Sequence, residues 1–263
     1  MLVHPNFDPV IVDLGPVSIH WYGLMYVFGF AGAYFVASYR KSKLNLGSDD
    51  ISDMFFYGAL GVIVGGRLGY CLLYKPYEYL SNPLTIITGI QDGGMSFHGG
   101  FLGVIVATIL YAKRKNCPIW AVSDFVAVIA PIGLFFGRLG NFINQELWGR
   151  PTDLPWGMVF TNDPDRLSRH PSMVYEALLE GLFLFLVLFM VSKSPRKPWF
   201  ITALFLLGYG TSRFMVEFVR LPDSHIGYLY GGWLTIGHLY TIPMIIIGIL
   251  TLFHNAQSRG NLR

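Results

Sequence analysis

The sequence predicts an all-α, polytopic membrane protein with seven transmembrane helices, the N-terminus outside, the C-terminus cytoplasmic and a small outer head. Three observations carry that expectation. More than half of the 263 residues are hydrophobic and only 13% are charged, with a mean hydropathy of +0.47, so lipid rather than water is the main solvent. Apolar runs recur at the length of a spanning helix. Lysines and arginines gather in alternate connections.

The spans cover about residues 19–39, 54–74, 98–112, 121–139, 174–191, 199–218 and 238–253. Before the first lies a stretch, Met1 to His20, without lysine or arginine; it lacks the basic start of a cleavable signal, so the first helix is read as retained. The second carries Gly58, Gly61, Gly65 and Gly69, a small-residue packing stripe, together with Arg67. The third is the shortest: its apolar core, Phe101 to Ala112, reads as a tilted or a re-entrant segment. The fourth runs into Gly137-Arg138-Leu139-Gly140-Asn141-Phe142-Ile143-Asn144-Gln145-Glu146-Leu147-Trp148-Gly149-Arg150. In the fifth, Ser172 reads as a helix cap and Glu176 as a first-turn acid, with Glu180 further on. The sixth ends with Arg213, Glu217 and Arg220, spaced i, i+4, i+7 so that Glu217 can pair with both arginines. The seventh, His238 to Phe253, is apolar.

Orientation follows from charge. Arg40, Lys41, Lys43, Lys113, Arg114, Lys115, Lys193, Arg196, Lys197, Arg259 and Arg263 fall on one side, and Lys75, Arg150, Arg166 and Arg169 on the other. The first set is cytoplasmic by the positive-inside rule. Residues 144–171 then form an extracytoplasmic head too small for a core of its own, and the chain is expected to be one integral membrane domain. Cys71 and Cys117 offer neither metal spacing nor a disulfide framework. No metal, cofactor or nucleic acid is expected; membrane lipids are.

Four arginines remain outside ordinary loops: Arg67, Arg138, Arg213 and Arg220. An arginine at mid-membrane costs about 2.5–3.5 kcal/mol on insertion scales, and less near the interface. In the predicted orientation all four fall toward the outer leaflet, as do His20, Tyr22, His98, Glu176 and Glu180. Such a cationic, hydrogen-bonding site suits a phosphate better than a metal. Each element also has a plain structural reading. Arg138 can snorkel to the interface, Arg67 can link helices, Arg213 and Arg220 can belong to an ion network with Glu217, and His98 can be a satisfied interface residue. Against that last reading, Asp92 through Gly100 surrounds His98 with glycines that allow close approach, and imidazole is a natural proton acceptor beside a phosphate.

His20-Trp21-Tyr22-Gly23-Leu24-Met25-Tyr26, Gly65-Gly66-Arg67-Leu68-Gly69-Tyr70, Asp92 through Gly100, Gly137 through Arg150, His170-Pro171-Ser172 with Tyr175-Glu176, and Gly208-Tyr209-Gly210 with Arg213 and Glu217-Phe218 stand in order along the chain. In them the sequence resembles the bacterial phosphatidylglycerol-prolipoprotein diacylglyceryl transferases over nearly its whole length. The resemblance implies transfer of the diacylglyceryl group of phosphatidylglycerol to the lipobox cysteine of a preprolipoprotein signal peptide, at the bacterial cytoplasmic (inner) membrane, with glycerol phosphate released. It further implies that Arg138 and Arg213 hold and stabilise the phosphate and that His98 accepts the thiol proton. Water, the phosphate or Glu146 are alternative acceptors. Tyr22, Asn141, Glu146 and Glu217 would serve the headgroup, and Gly149 would belong to a flexible head near the peptide. Two rivals stay open: an anion transporter, which visible repeats and a midplane site would favour, and an assembly protein in which the arginines only link helices.

Overall fold

The computed structural model describes residues 2–15, 18–74, 76–89, 94–222 and 227–257. The chain divides into two compact units, Ala37–Ser123 and Met1–Val36 with Asp124–Arg263. It is mostly helical. The long helices are α1 (Trp21–Arg40), α2 (Ser48–Tyr74), α5 (Phe97–Arg114), α6 (Ile119–Ile143), a helix from Ser172 to Val191, α9 (Phe200–Glu217) and α10 (Ile236–Gln257), with two short ones, α3 (Pro76–Ser81) and α4 (Thr85–Thr88), between α2 and α5. The Ser172–Val191 helix is built of α7 (Ser172–Glu176), a π segment (Ala177–Phe183) and α8 (Leu184–Val191). Four stretches, Ser48–Leu72, Ile119–Ile143, Ser172–Val191 and Ile236–Gln257, are long and apolar enough to cross a membrane.

In the unit Ala37–Ser123, α2 and α5 meet through their glycines. A Cβ on Gly61 would stand 2.5 Å from the carbonyl oxygen of Gly103, and one on Gly65 2.3 Å from that of Gly99, so the backbones approach closely only without side chains. Gly58 has open space instead and is no part of the stripe. The third predicted span is one continuous helix of 18 residues, about 27 Å long at 1.5 Å per residue. Ser96 caps it, its Oγ accepting from the amide of Gly99 at 3.2 Å. Arg67 is buried and donates to the carbonyls of Ile86 (2.8 Å) and Thr85 (3.0 Å); its guanidinium lies 5.2 Å from the Tyr79 ring centroid. It binds the start of α4 to α2, the linking role that sequence allowed for it.

In the other unit, α1 runs antiparallel to α6. Gly32 faces Ile132, Gly29 faces Gly133, and Tyr22 lies across Gly140, which carries Tyr22 to the Arg138 end of α6. The π segment packs on α6 at Gly181, where a Cβ would be 2.6 Å from that of Phe135. Gly210 against Ile245, and Gly248 against Ala203 and Leu207, pair α9 with α10. The apolar centre of this unit is Ala127, Val128, Leu184, Leu188 and Ile201.

The chain is mostly helical rather than all-α: five short strands occur among the described residues, three before α1 and two in the head. β1 (Leu2–Val3) pairs in parallel with β4 (Met158–Val159), which pairs antiparallel with β5 (Ser168–Arg169); β2 (Val10–Asp13) pairs with β3 (Ser18–His20). The physical reason is the short core of the head. Buried Phe160 and His4 pack with Phe142 and Trp148, so residues from the beginning of the chain complete what 144–171 lacks. Asn6 joins in, accepting from Gln145 Nε2 (3.0 Å) and Thr161 Oγ1 (2.7 Å).

Candidate active site

Helix α6 ends at Ile143. Gln145 takes a left-handed φ of 52°, its amide donating to Phe142 O (3.1 Å) while that of Glu146 donates to Asn141 O (3.1 Å). This is a Schellman end, built on glutamine where glycine is usual. The turn folds Glu146 back over Asn141, whose Nδ2 donates to Glu146 Oε1 at 2.8 Å. Arg138 in turn donates from Nη1 to Asn141 Oδ1 at 3.3 Å. Arg138, Asn141 and Glu146 are therefore one hydrogen-bonded chain. Tyr22 beside Gly140 contacts Tyr26 through their hydroxyls at 3.1 Å, and a cavity of about 620 Å³ lined by Ser18, His20, Tyr22, Leu24, Val27 and Asn144 opens next to it.

At the centre stands Glu176, fully buried. Its Oε2 lies 2.6 Å from Arg138 Nε, and its Oε1 2.7 Å from Arg220 Nη1 and 3.6 Å from Arg213 Nη1. Glu217 is the second carboxylate: it pairs with Arg213, lies 3.6 Å from Arg220 Nε, and accepts from Thr235 Oγ1 at 2.6 Å. Gly237 leaves room for it, since a Cβ there would be 2.4 Å from Glu217 Oε1. Three guanidiniums thus face two paired carboxylates, drawn from α6, α7, α9 and the turn after α9. Buried charges on this scale persist only when paired. Arg138 keeps 20% of its side chain exposed, so it can still meet a ligand.

Ser172 is not a cap. Its hydroxyl donates to Leu147 O at 2.8 Å, and Leu147 itself holds a left-handed φ of 60°. That bond ties the loop after α6 to the start of α7. Gly149 is buried in a backbone junction: its amide donates to His170 O (2.8 Å), it bridges to Arg220, and a Cβ would stand 2.4 Å from Val219 O. It is a packing glycine rather than part of a loose segment. In the head, Arg169 grips Asp163 with two bonds, Nε to Oδ2 (2.5 Å) and Nη2 to Oδ1 (2.9 Å), and this pairing holds the Asp163 carboxyl below its ordinary range. Burial and the charge of Arg150 lower His170.

A family model, that of the prolipoprotein diacylglyceryl transferases, matches residues 9–254 of the sequence. The chain belongs to that family. Proteins named phosphatidylglycerol–prolipoprotein diacylglyceryl transferase are 52% identical in Marinomonas sp. (strain MWYL1) over 250 residues, covering 94% of this chain and 93% of the relative. The one in Pseudomonas entomophila (strain L48) is 50% identical, covering 96% and 95%, and the one in Pseudomonas fluorescens is 50% identical, covering 99% of each. As a diacylglyceryl transferase the chain is a multi-pass membrane enzyme, and the assembly reading falls away.

Of the residues singled out in the sequence of this transferase, Tyr22, Arg138, Asn141, Glu146, Gly149, Arg213 and Glu217 all belong to the unit formed by Met1–Val36 and Asp124–Arg263. Arg67 and His98 belong to Ala37–Ser123. The backbone of His98 lies in the first turn of α5, and its side chain is outside the described residues, as is Asp92. The sequence pattern underrates Glu176 and Arg220, the hub and one of its two close partners. Their separation of 44 residues hides the pairing; the available signal was that a glutamate within an apolar helix needs a cation.

Proposed function

We propose that the chain transfers the diacylglyceryl group of phosphatidylglycerol to the thiol of a lipobox cysteine in a preprolipoprotein, as the first step of lipoprotein maturation. The cysteine sulfur attacks the sp3 glyceryl carbon, a C–S bond forms, the C–O bond to phosphate breaks, and glycerol phosphate leaves with the electron pair. The observation that carries the reading is the convergence of three guanidiniums, Arg138, Arg213 and Arg220, on Glu176 at the end of α6 beside the head.

Arg138 and Arg213 bind the phosphate and stabilise the charge that grows on it as it leaves. For an arriving phosphate, Glu176 is the competitor it must displace or share with. Tyr22, Asn141 and Glu146 position the headgroup, Glu217 holds Arg213 in place, and the Gly149 junction sets the floor of the head beside the peptide. The thiol, with an ordinary value near 8.5, gives its proton to His98, with water, the phosphate or Glu146 as the other acceptors.

In the proposed membrane arrangement seven helices span the bacterial inner membrane as one integral domain. The N-terminus and the head 144–171 are outside. Arg40, Lys113 and Arg114 in the last turns of α1 and α5, and the basic connection between α8 and α9, then lie in the cytoplasm, and the arginine cluster faces the outer leaflet where the lipobox emerges. The test is purified protein in detergent with phosphatidylglycerol and a lipobox peptide, following glycerol phosphate and a mass gain on the cysteine. Failure of both, with anion flux in liposomes, would instead establish the transporter reading.

A further inference from the structure

Glu180 lies one turn beyond Glu176, inside the π segment, and is fully buried. Among the described residues neither of its carboxyl oxygens has a hydrogen-bond partner, and it takes part in none of the ion pairs that engage Glu176 and Glu217. The charged and titratable groups around it are Glu176 on its own helix, Arg138 on α6, Tyr209 and Arg213 on α9, and Arg220. The guanidiniums act on it only at a distance, being committed to Glu176 and Glu217. A π segment inside an α-helix is often found at a functional site, and here it is pressed against Phe135 through Gly181.

An ionised carboxyl that is buried and unpaired is far more costly than a neutral one. With Glu180 protonated, three guanidiniums and two carboxylates leave the cluster with one net positive charge; with Glu180 ionised the cluster is neutral. The phosphodiester of phosphatidylglycerol carries one negative charge. We infer that Glu180 is a positioning residue that holds a proton in the resting enzyme and so keeps the Arg138–Arg213–Arg220 cluster one charge positive, matched to a phosphodiester monoanion. Glu180 touches no substrate; it acts through Arg138 and Arg213. Without the proton, those arginines would have a third carboxylate to neutralise and less field left for the lipid.

This rests on the phosphate role proposed above, and the experiment separates the two. KM for phosphatidylglycerol and kcat are measured against pH for the wild type and Glu180→Gln, which fixes the neutral form. In the wild type KM rises with pH by up to about tenfold per unit once Glu180 ionises; in Glu180→Gln that rise is gone, while the gain in kcat from thiol ionisation is seen in both. Coincident KM profiles overturn the role of Glu180 and leave the transferase reading intact; no transfer by the wild type at any pH overturns the transferase reading. Infrared spectroscopy decides protonation without turnover: the carbonyl band of a protonated carboxylic acid is expected in the wild type, shifted in Glu180→Asp and missing in Glu180→Gln. A wild-type spectrum without that band overturns the inference, whether or not Glu180→Gln folds.

Discussion

The Nε of Arg138 lies 2.6 Å from Oε2 of Glu176, a side chain with no exposed surface. This contact joins the last turns of α6 to the first turn of the Ser172–Val191 helix and fixes the direction in which Arg138 points. Arg220 holds the other oxygen at 2.7 Å. Removing one partner from such a cluster leaves an uncompensated buried charge, whereas a phosphate that arrives as Glu176 yields supplies a replacement anion.

Glu176→Gln should therefore be destabilising. It leaves three guanidiniums facing the single paired carboxylate of Glu217, and the loss of stability is expected at about 3–5 kcal/mol. Denaturant or thermal unfolding in detergent measures it; an unchanged midpoint would show that the cluster does not hold these helices together.

The glycine stripe makes a paired prediction. Gly65→Val drives a side chain into the Gly99 carbonyl, 2.3 Å from where its Cβ would stand, and backbone cannot yield as a side-chain tip does. Overpacking of this kind costs about 1–3 kcal/mol or more. Gly58→Ala meets nothing within 4 Å and should keep or slightly raise stability. Equal effects from the two would contradict the close approach of α2 and α5.

Acid should loosen the head. The Asp163 carboxyl is held low chiefly by its bonds from Arg169, so the folded head binds its proton more weakly than the unfolded chain does. The stabilisation is complete above the ordinary value of 3.8 and is lost as pH falls below it through the folded value. Hydrogen exchange across 158–169 should rise over that range, and in Asp163→Asn it should be high already at neutral pH. Protection unaffected by either change would remove the pair as the clasp of the head.

For His98→Gln the expected loss of turnover is about 100-fold or more, the scale of general-base catalysis. Retained activity would move the proton to water, the phosphate or Glu146 without touching the arginine cluster.

What the sequence made legible was mostly what short-range pattern controls. Apolar runs announced the long helices, small residues a packing stripe at Gly61, Gly65 and Gly69, though not that α5 is its partner, and the i, i+4 spacing of Arg213 and Glu217 their pairing. The link of Arg138 and Asn141 to Glu146 depends on a Schellman end at Gln145, which brings Glu146 back to Asn141, and nothing in the spacing announces that turn. Long-range partners were hidden. Nothing local to Leu2 and Val3 shows that they will join Met158 and Val159, and nothing local to Ser172 shows that its hydroxyl is needed by Leu147 O rather than at a helix end. The hub role of Glu176 required knowing that the ends of α6 and α9 meet the start of the Ser172–Val191 helix.

Whether the Glu176-centred arginines bind and stabilise the departing phosphate is decided at Arg138. Release of glycerol phosphate is measured for Arg138→Ala beside the wild type, with phosphatidylglycerol and a lipobox peptide, after confirming equal membrane insertion. A fall of about 100-fold or more is expected for loss of a group that stabilises charge in the transition state, and Arg213→Ala should behave alike. Near-normal turnover in a fully inserted Arg138→Ala protein would contradict that phosphate role.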